Sequence, residues 1–237
     1  MSPRIFSQNS QPFQDREEAG RLLAKELRNL GGKETVVLGI PRGGMIVAAE
    51  VSRLLGADLD IVLARKIGAP GNPEFAIGAV SEDGREFVDQ SIALQVGADE
   101  FFIQEAKARQ LEMIANRKNL YRKAQPKVSL KQRLVIIVDD GLATGATMQA
   151  ALWSAREEGP GSIIAALPVA SKDGLEKIAG YADEAFCLRA PDYFSAVSQF
   201  YRQFPEVTDK EVLEILARMK SFREKSQEKA ERENLHN

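Results

Sequence analysis

Apolar residues fall along this chain in two textures that alternate with each other. Short unbroken aliphatic runs occur at 35–40 (TVVLGI), 59–64 (LDIVLA), 134–138 (LVIIV) and 163–169, with a possible fifth at 185–188. Between them, apolar positions return every third or fourth residue. Residues 15–30 read as an amphipathic helix, with Asp15 as cap, Glu18 at the capping-box position, Leu22, Leu23, Leu27 and Leu30 on one face, and Gly31-Gly32 as the stop. Similar spacing predicts helices at 45–55, over 98–121 (Phe102, Ile103, Ala106, Met113, Ile114, Leu120 and Tyr121 on one face), from the loop after 138 to about 158, and briefly at 175–179. Strands apolar throughout, alternating with helices, predict an α/β fold: a Rossmann-like parallel sheet flanked by helices on both faces.

Three segments interrupt this rhythm. The prolines and glycines of KIGAPGNPE argue for a loop over 65–74, and Asp83-Gly84 supplies the turn of a hairpin between 75–80 and 85–88. From 117 to 133 the chain is basic. From about 221 it is almost wholly polar and reads as a solvated helix end or a tail. The expected organisation is one domain over 1–220, with its core at about 35–188, a small hood at about 183–204 and the long helix as an insertion, followed by a charged tail over 221–237.

Composition narrows the chemistry. Hydrophobic residues are 44% and charged residues 28%, ordinary for a soluble globular protein, and the net charge of -2 provides no global field for nucleic acid or anionic membrane. Any anion site has to be built locally. Cys187 is the single cysteine, so no intramolecular disulfide is available, and with no apolar run near the length of a membrane span the expected location is the cytoplasm. The single histidine, His236, lies in the charged tail, which removes histidine from the mechanisms to be considered.

The stretch VIIVDDGLATGATM, 135–148, drives a buried strand straight into two carboxylates and a glycine-rich loop. In an open parallel sheet ligands bind beyond the carboxyl ends of the strands, where Asp139 and Asp140 stand. Gly141, Ala143, Gly145 and Ala146 let backbone N–H groups approach a ligand, and Thr144 and Thr147 add hydroxyls where a helix begins, which is a ready anion site. The arrangement suits a molecule that carries a phosphate beside a polyol or a metal ion. An NTP-binding P-loop is excluded because no lysine lies between Lys131 and Lys172, and the spacing of Gly39, Gly43 and Gly44 is wrong for a dinucleotide fingerprint. At the end of the first strand, GIPRGG offers Arg42 as a fixed fork for phosphate oxygens and glycines that expose N–H groups.

The long motif resembles the 5-phosphoribosyl-1-pyrophosphate (PRPP) signature of type I phosphoribosyltransferases, and GIPRGG with RKIGAPGNPEFAIGAV resembles an uncharacterised bacterial and archaeal group of such proteins. The resemblance covers about 35–188. It implies a glycosyltransferase that uses PRPP and Mg²⁺, transfers phosphoribosyl to a nitrogen acceptor such as a nucleobase, and releases pyrophosphate. By that resemblance Asp139 and Asp140 hold the ribose hydroxyls, directly or through Mg²⁺. Ala143, Thr144, Gly145, Ala146 and Thr147 wrap the 5-phosphate. Pro41, Arg42, Gly43 and Gly44 form the pyrophosphate loop, with a cis peptide expected at Pro41–Arg42, and Arg65 or Lys66 contacts pyrophosphate. The 65–74 loop is the expected lid, with the long helix as an alternative cover. Expected partners are PRPP and a small nitrogenous acceptor, and the fold commonly forms homodimers.

The acceptor is less legible. Enzymes for 6-oxopurines carry an aspartate where this chain has Ala143, which argues against hypoxanthine and guanine, while Gly141 departs from the adenine-specific pattern. Phe186, Pro191, Asp192, Tyr193 and Phe194 in the hood can stack on a base or simply pack. The competing function is a non-catalytic PRPP or nucleotide sensor that binds nucleic acid through Arg117, Lys118, Arg122, Lys123, Lys127, Lys131 and Arg133. A solvated helix end complementing the C-terminal dipole explains the same residues, so nucleic acid is not the expected partner.

Overall fold

The structure, a computed structural model of the chain, describes residues 2–32 and 34–234; the side chains of Glu74 and of 223–234 are not described. Six strands form an all-parallel sheet in the order β1-β9-β8-β7-β2-β3. They are β1 (Arg4–Ser7), β2 (Thr35–Gly39), β3 (Asp58–Ile61), β7 (Leu134–Val138), β8 (Ser162–Val169) and β9 (Glu184–Arg189). Helices α1 (Arg16–Glu26), α2 (Gly44–Leu55) and α7 (Asp209–Asn234) pack on one face, over Val37, Ile136, Val138 and Ile164. Helices α5 (Ala146–Arg156) and α6 (Lys172–Ala179) cover the other, over Val36, Leu38, Val135 and Ile137. Alternate side chains of the same strands feed opposite cores, which is why the runs are apolar throughout.

The region between β3 and β7 departs from expectation. The run 59–64 does not continue as one strand: β3 stops at Ile61, and Ala64 opens β4 (Ala64–Ala69) in a second sheet. The expected loop over 65–74 is the tip of an antiparallel hairpin, in which β4 pairs with β5 (Asn72–Ser81) around Pro70-Gly71 and β5 pairs with β6 (Glu86–Val88). Its glycines and prolines occupy the turn and a register irregularity near Gly68 rather than abolishing the strands. The hairpin sheet is covered on one face by α3 (Gln90–Gln95) and α4 (Glu100–Ala124), and on the other by α5, where Ala150 and Trp153 meet Ala76, Ala79 and Phe87. A segment held between two helical layers is not a free lid.

Helix α4 buries Ile103, Ala106, Ile114 and Tyr121, whereas Met113 and Leu120 are exposed. At α1, Asp15 Oδ1 accepts from Glu18 N as expected, but the Glu18 carboxylate reaches Gln14 N rather than the cap residue's own amide. The pattern of apolar positions did not announce β1, which adds a parallel strand beside β9, or α7 as a packed element: Val212, Ile215, Leu216 and Met219 enter the core. The backbone is helical from the expected tail's start to Asn234, while residues 235–237, His236 included, lie outside the described residues. Among the described residues no helix is long and apolar enough to cross a membrane.

The basic segment is largely consumed by structure. Arg122 donates to Asp60 (2.6 Å) and to Glu82 (2.5 Å), both buried; Lys118 and Lys127 face Asp83, Lys127 also meets Glu158, and Arg133 meets Asp58. These pairs fasten α4 and its following linker to β3 and the hairpin. Replacing Arg122 with leucine would leave two carboxylates buried without their cation; we expect a loss of about 3–5 kcal/mol, measured by urea unfolding.

Candidate functional site

Three loops meet at the carboxyl edge of the sheet because β2, β7 and β8 are parallel neighbours. Ile40 N bonds Val138 O (2.9 Å), so the loop after β2 hangs from the end of β7. Leu142 N bonds Val169 O and Ser171 N bonds Leu142 O, which stitches the loop after β7 to the one after β8. The segment GIPRGG and the acid pair are thereby brought into contact. A Cβ on Gly43 would lie 2.0 Å from Asp140 Oδ2, and one on Gly44 would lie 2.8 Å from Asp139 Oδ1. The two glycines are thus required by the carboxylates above them. Gly43→Ala is expected to push Asp140 aside and weaken phosphosugar binding at least about tenfold, with a stability loss of about 1 kcal/mol; calorimetry and thermal unfolding measure the two separately. The peptide Pro41–Arg42 is cis, as expected.

Beyond the acid pair the chain turns through Gly145, whose φ of 77° lies in the left-handed region, and starts α5 at Ala146. Thr144 and Thr147 are exposed, whereas Ala146 is buried. The loop is braced from behind: Ser171 Oγ donates to Ala143 O, and Gly174 of α6 packs so closely that a Cβ there would meet Ala143 O at 2.6 Å. Gly141 is explained by close packing, because a Cβ would lie 2.4 Å from Val197 Cγ1.

The carboxylates are not equivalent. Burial and the neighbouring Asp140 push the Asp139 carboxyl well above the usual range, against the hydrogen bond its Oδ1 accepts from Asp140 N (2.8 Å). Burial also raises Asp140, but Arg16 opposes it, with Nε 2.7 Å from Oδ2. Arg16 is 6% exposed, donates to Pro205 O (2.8 Å) and lies 3.7 Å from the centre of the Phe204 ring. Sequence reasoning passed over it. The available signal was its position: a cation at the first position of α1 opposes the helix dipole and so asks for a partner elsewhere.

The remaining assigned residues separate. Arg42 reaches Glu206 (2.5 Å), and with Arg16, Gly43 and the 204–207 segment it lines a cleft of about 380 Å³. Arg65 and Lys66 are adjacent on β4 and therefore point to opposite faces. Arg65 donates to Gln110 of α4 (2.7 Å). Lys66, opposite Ala79, lies on the α5 side, close enough to Lys177 of α6 that the two ammonium groups repel; burial and Lys66 together lower the Lys177 pKa. The two cations expected at pyrophosphate do not share a face. In the hood, Phe186 is a buried strand residue stacked with Phe6, Pro191 is buried, and Phe194 packs on Phe200; Asp192, paired with Lys172, and Tyr193 are the exposed members. The hood aromatics Phe186 and Phe194 therefore pack, rather than wait for a ring.

Among the described residues no cluster of three or more carboxylate, histidine or cysteine side chains can hold a metal by itself. Two adjacent carboxylates over exposed backbone suit instead an oxygen-seeking cation that keeps waters and takes further ligands from a bound phosphosugar, as Mg²⁺ does.

A six-stranded parallel sheet flanked by helices, with an acid pair and a glycine-rich loop at its carboxyl edge, is the type I phosphoribosyltransferase fold. The chain matches the phosphoribosyl transferase domain model over residues 14–205 and belongs to that family. It is 47% identical to the protein TT1426 of Thermus thermophilus, whose crystal structure superposes with a TM-score of 0.84, covering 88% of this chain and 99% of that one. It is 42% identical over 206 residues to a Mycobacterium tuberculosis protein, Rv0571c, provisionally named a phosphoribosyl transferase. That match takes in 87% of this chain and 46% of the relative, so the chain spans about half the length of the curated relative.

Proposed function

We propose that the chain transfers the phosphoribosyl group of PRPP to a small nitrogen acceptor and releases pyrophosphate. The observation that supports this reading is the close approach of Gly43 and Gly44 to Asp140 and Asp139, which sets the carboxylates beside the Arg42 loop. In this reading the amides of 144–147 and the hydroxyls of Thr144 and Thr147 take the 5-phosphate, with the α5 N-terminus adding its dipole. Lys66 and Lys177 add positive charge from the hairpin and α6 on that same side. Asp139 and Asp140 accept from the ribose 2- and 3-hydroxyls and fix the ring so that attack at C1 is aligned. Arg42 and the N–H groups of the glycine loop hold the leaving pyrophosphate and stabilise the negative charge that grows on it as the C1–O bond lengthens.

Asp139 and Asp140 would hold Mg²⁺, which would supply further neutralisation of the leaving pyrophosphate. No side-chain nucleophile is used, in keeping with a buried cysteine whose thiol burial pushes up to about 12. Ala143 puts no carboxylate beside the acceptor, which favours acceptors that need no enzymic base at the ring nitrogen. Nucleic-acid sensing finds less support, since four of the seven cations in the basic segment already face carboxylates.

Titration calorimetry with PRPP and Mg²⁺ tests the reading, with ribose 5-phosphate and inorganic pyrophosphate as partial ligands. We expect all three to bind, PRPP most tightly. No heat from any of them would refute the site.

A further inference from the structure

The pyrophosphate arginine is already occupied by an anion of the chain itself. Arg42 Nη2 lies 2.5 Å from Glu206 Oε1, at the mouth of the cleft that Arg16, Gly43 and the 204–207 segment line. The backbone of that segment is fixed at both ends. Arg202 N and Gln203 N bond Phe13 O and Gln14 O, Arg16 donates to Pro205 O while stacking on Phe204, and Thr208 and Glu211 cap α7. The Glu206 side chain, by contrast, is 78% exposed while that of Arg42 is 33% exposed. Its carboxylate can leave by side-chain rotation alone, without opening the strap that presents it.

We propose that Glu206 is a built-in competitor for the pyrophosphate site: its carboxylate holds the Arg42 guanidinium in the empty protein and must be displaced by a diphosphate group. This rests on the reading of Arg42 as the pyrophosphate ligand. A guanidinium gives a carboxylate and a phosphate the same fork of donors, so the two anions exclude each other there. An ion pair this exposed is a weak latch, worth at most about fivefold in an equilibrium. That strength is useful: it weakens the hold of lone anions on Arg42, yet yields to a ligand that also engages the glycine loop. It also returns an anion to Arg42 as pyrophosphate departs, which favours release.

The test is calorimetric titration of inorganic pyrophosphate with Mg²⁺, and of PRPP, into the whole chain as wild type, Glu206→Gln, Glu206→Ala, Arg42→Gln and Arg42→Gln/Glu206→Ala. Glu206→Ala guards against a glutamine that keeps a neutral hydrogen bond to Arg42. We expect pyrophosphate to bind about threefold to fivefold more tightly to both single Glu206 variants, and Glu206→Ala to add nothing once Arg42 is glutamine. Unchanged or weaker binding in the Glu206 variants overturns the proposal while leaving the site intact. An equal gain with and without Arg42 also overturns it, since that is bulk charge repulsion rather than competition for the guanidinium. Binding of neither ligand to wild type overturns the site reading, and with it this inference.

Discussion

Asp139→Asn combined with Asp140→Asn is expected to abolish detectable PRPP binding, about a hundredfold loss or more, in a chain that remains folded. The loss follows from removing two acceptors for ribose hydroxyls, with their charge; Asp140→Asn also deprives the buried Arg16 of its carboxylate, so folding of the variant is checked by circular dichroism. The single variant Asp139→Asn separates function from stability further. Its carboxyl titrates above the usual range because burial and Asp140 disfavour its charge. A carboxyl raised in the folded state costs stability as pH rises from the ordinary value near 3.8 through the raised one, and that cost persists at neutral pH. Asparagine keeps an oxygen for Asp140 N and removes the charge. Thermal unfolding at pH 7 should therefore occur at a higher temperature in Asp139→Asn than in wild type, by roughly 2–4 °C for each kcal/mol recovered, while calorimetry shows PRPP affinity lost. A variant that binds PRPP normally would remove Asp139 from the site. One that unfolds earlier would show that the carboxylate stabilises the edge.

The second large effect is at Arg42. Its replacement by alanine should lower the rate constant for pyrophosphate release by about a hundredfold to a thousandfold, as when a preorganised donor to developing charge is removed. The KM of the acceptor should hardly change, because the guanidinium serves the leaving group. Lysine should recover little of the loss, since a point charge lacks the planar fork. Stability should be unaffected to within about 0.5 kcal/mol, since the ion pair it loses, with Glu206, is exposed. Rates unchanged by alanine would move the pyrophosphate elsewhere on the site.

Much of this was legible in the sequence because the chemistry is local. Strand end, acid pair and the loop proposed for the 5-phosphate lie within fourteen consecutive residues, and the aliphatic runs of the core sheet announced strands buried on both faces. The glycines of GIPRGG spoke of close approach before anything showed what approached them. What stayed hidden was contact between distant segments. Arg16 and Asp140 are 124 positions apart, and Arg42 and Glu206 are 164 apart. No periodicity encodes either pair. The hairpin at 64–81 was missed for a different reason: proline and glycine mark a turn and an irregular register as readily as a loop, and neighbouring helices on both faces override weak strand propensity. The basic segment misled in the opposite sense. Its cations stand close in sequence, but Asp60, Glu82, Asp83 and Glu158, which neutralise them, come from β3, the hairpin and the end of α5.

The account is tested most directly by pyrophosphate release from PRPP and Mg²⁺ in the presence of nucleobases, small aromatic amines and other nitrogen acceptors, run beside Asp139→Asn/Asp140→Asn. It predicts acceptor-dependent release by the wild-type chain with at least one member of the panel, and none by the double variant. Release that is equal in both proteins, or a wild-type chain that neither binds PRPP nor consumes it with any acceptor, would contradict it.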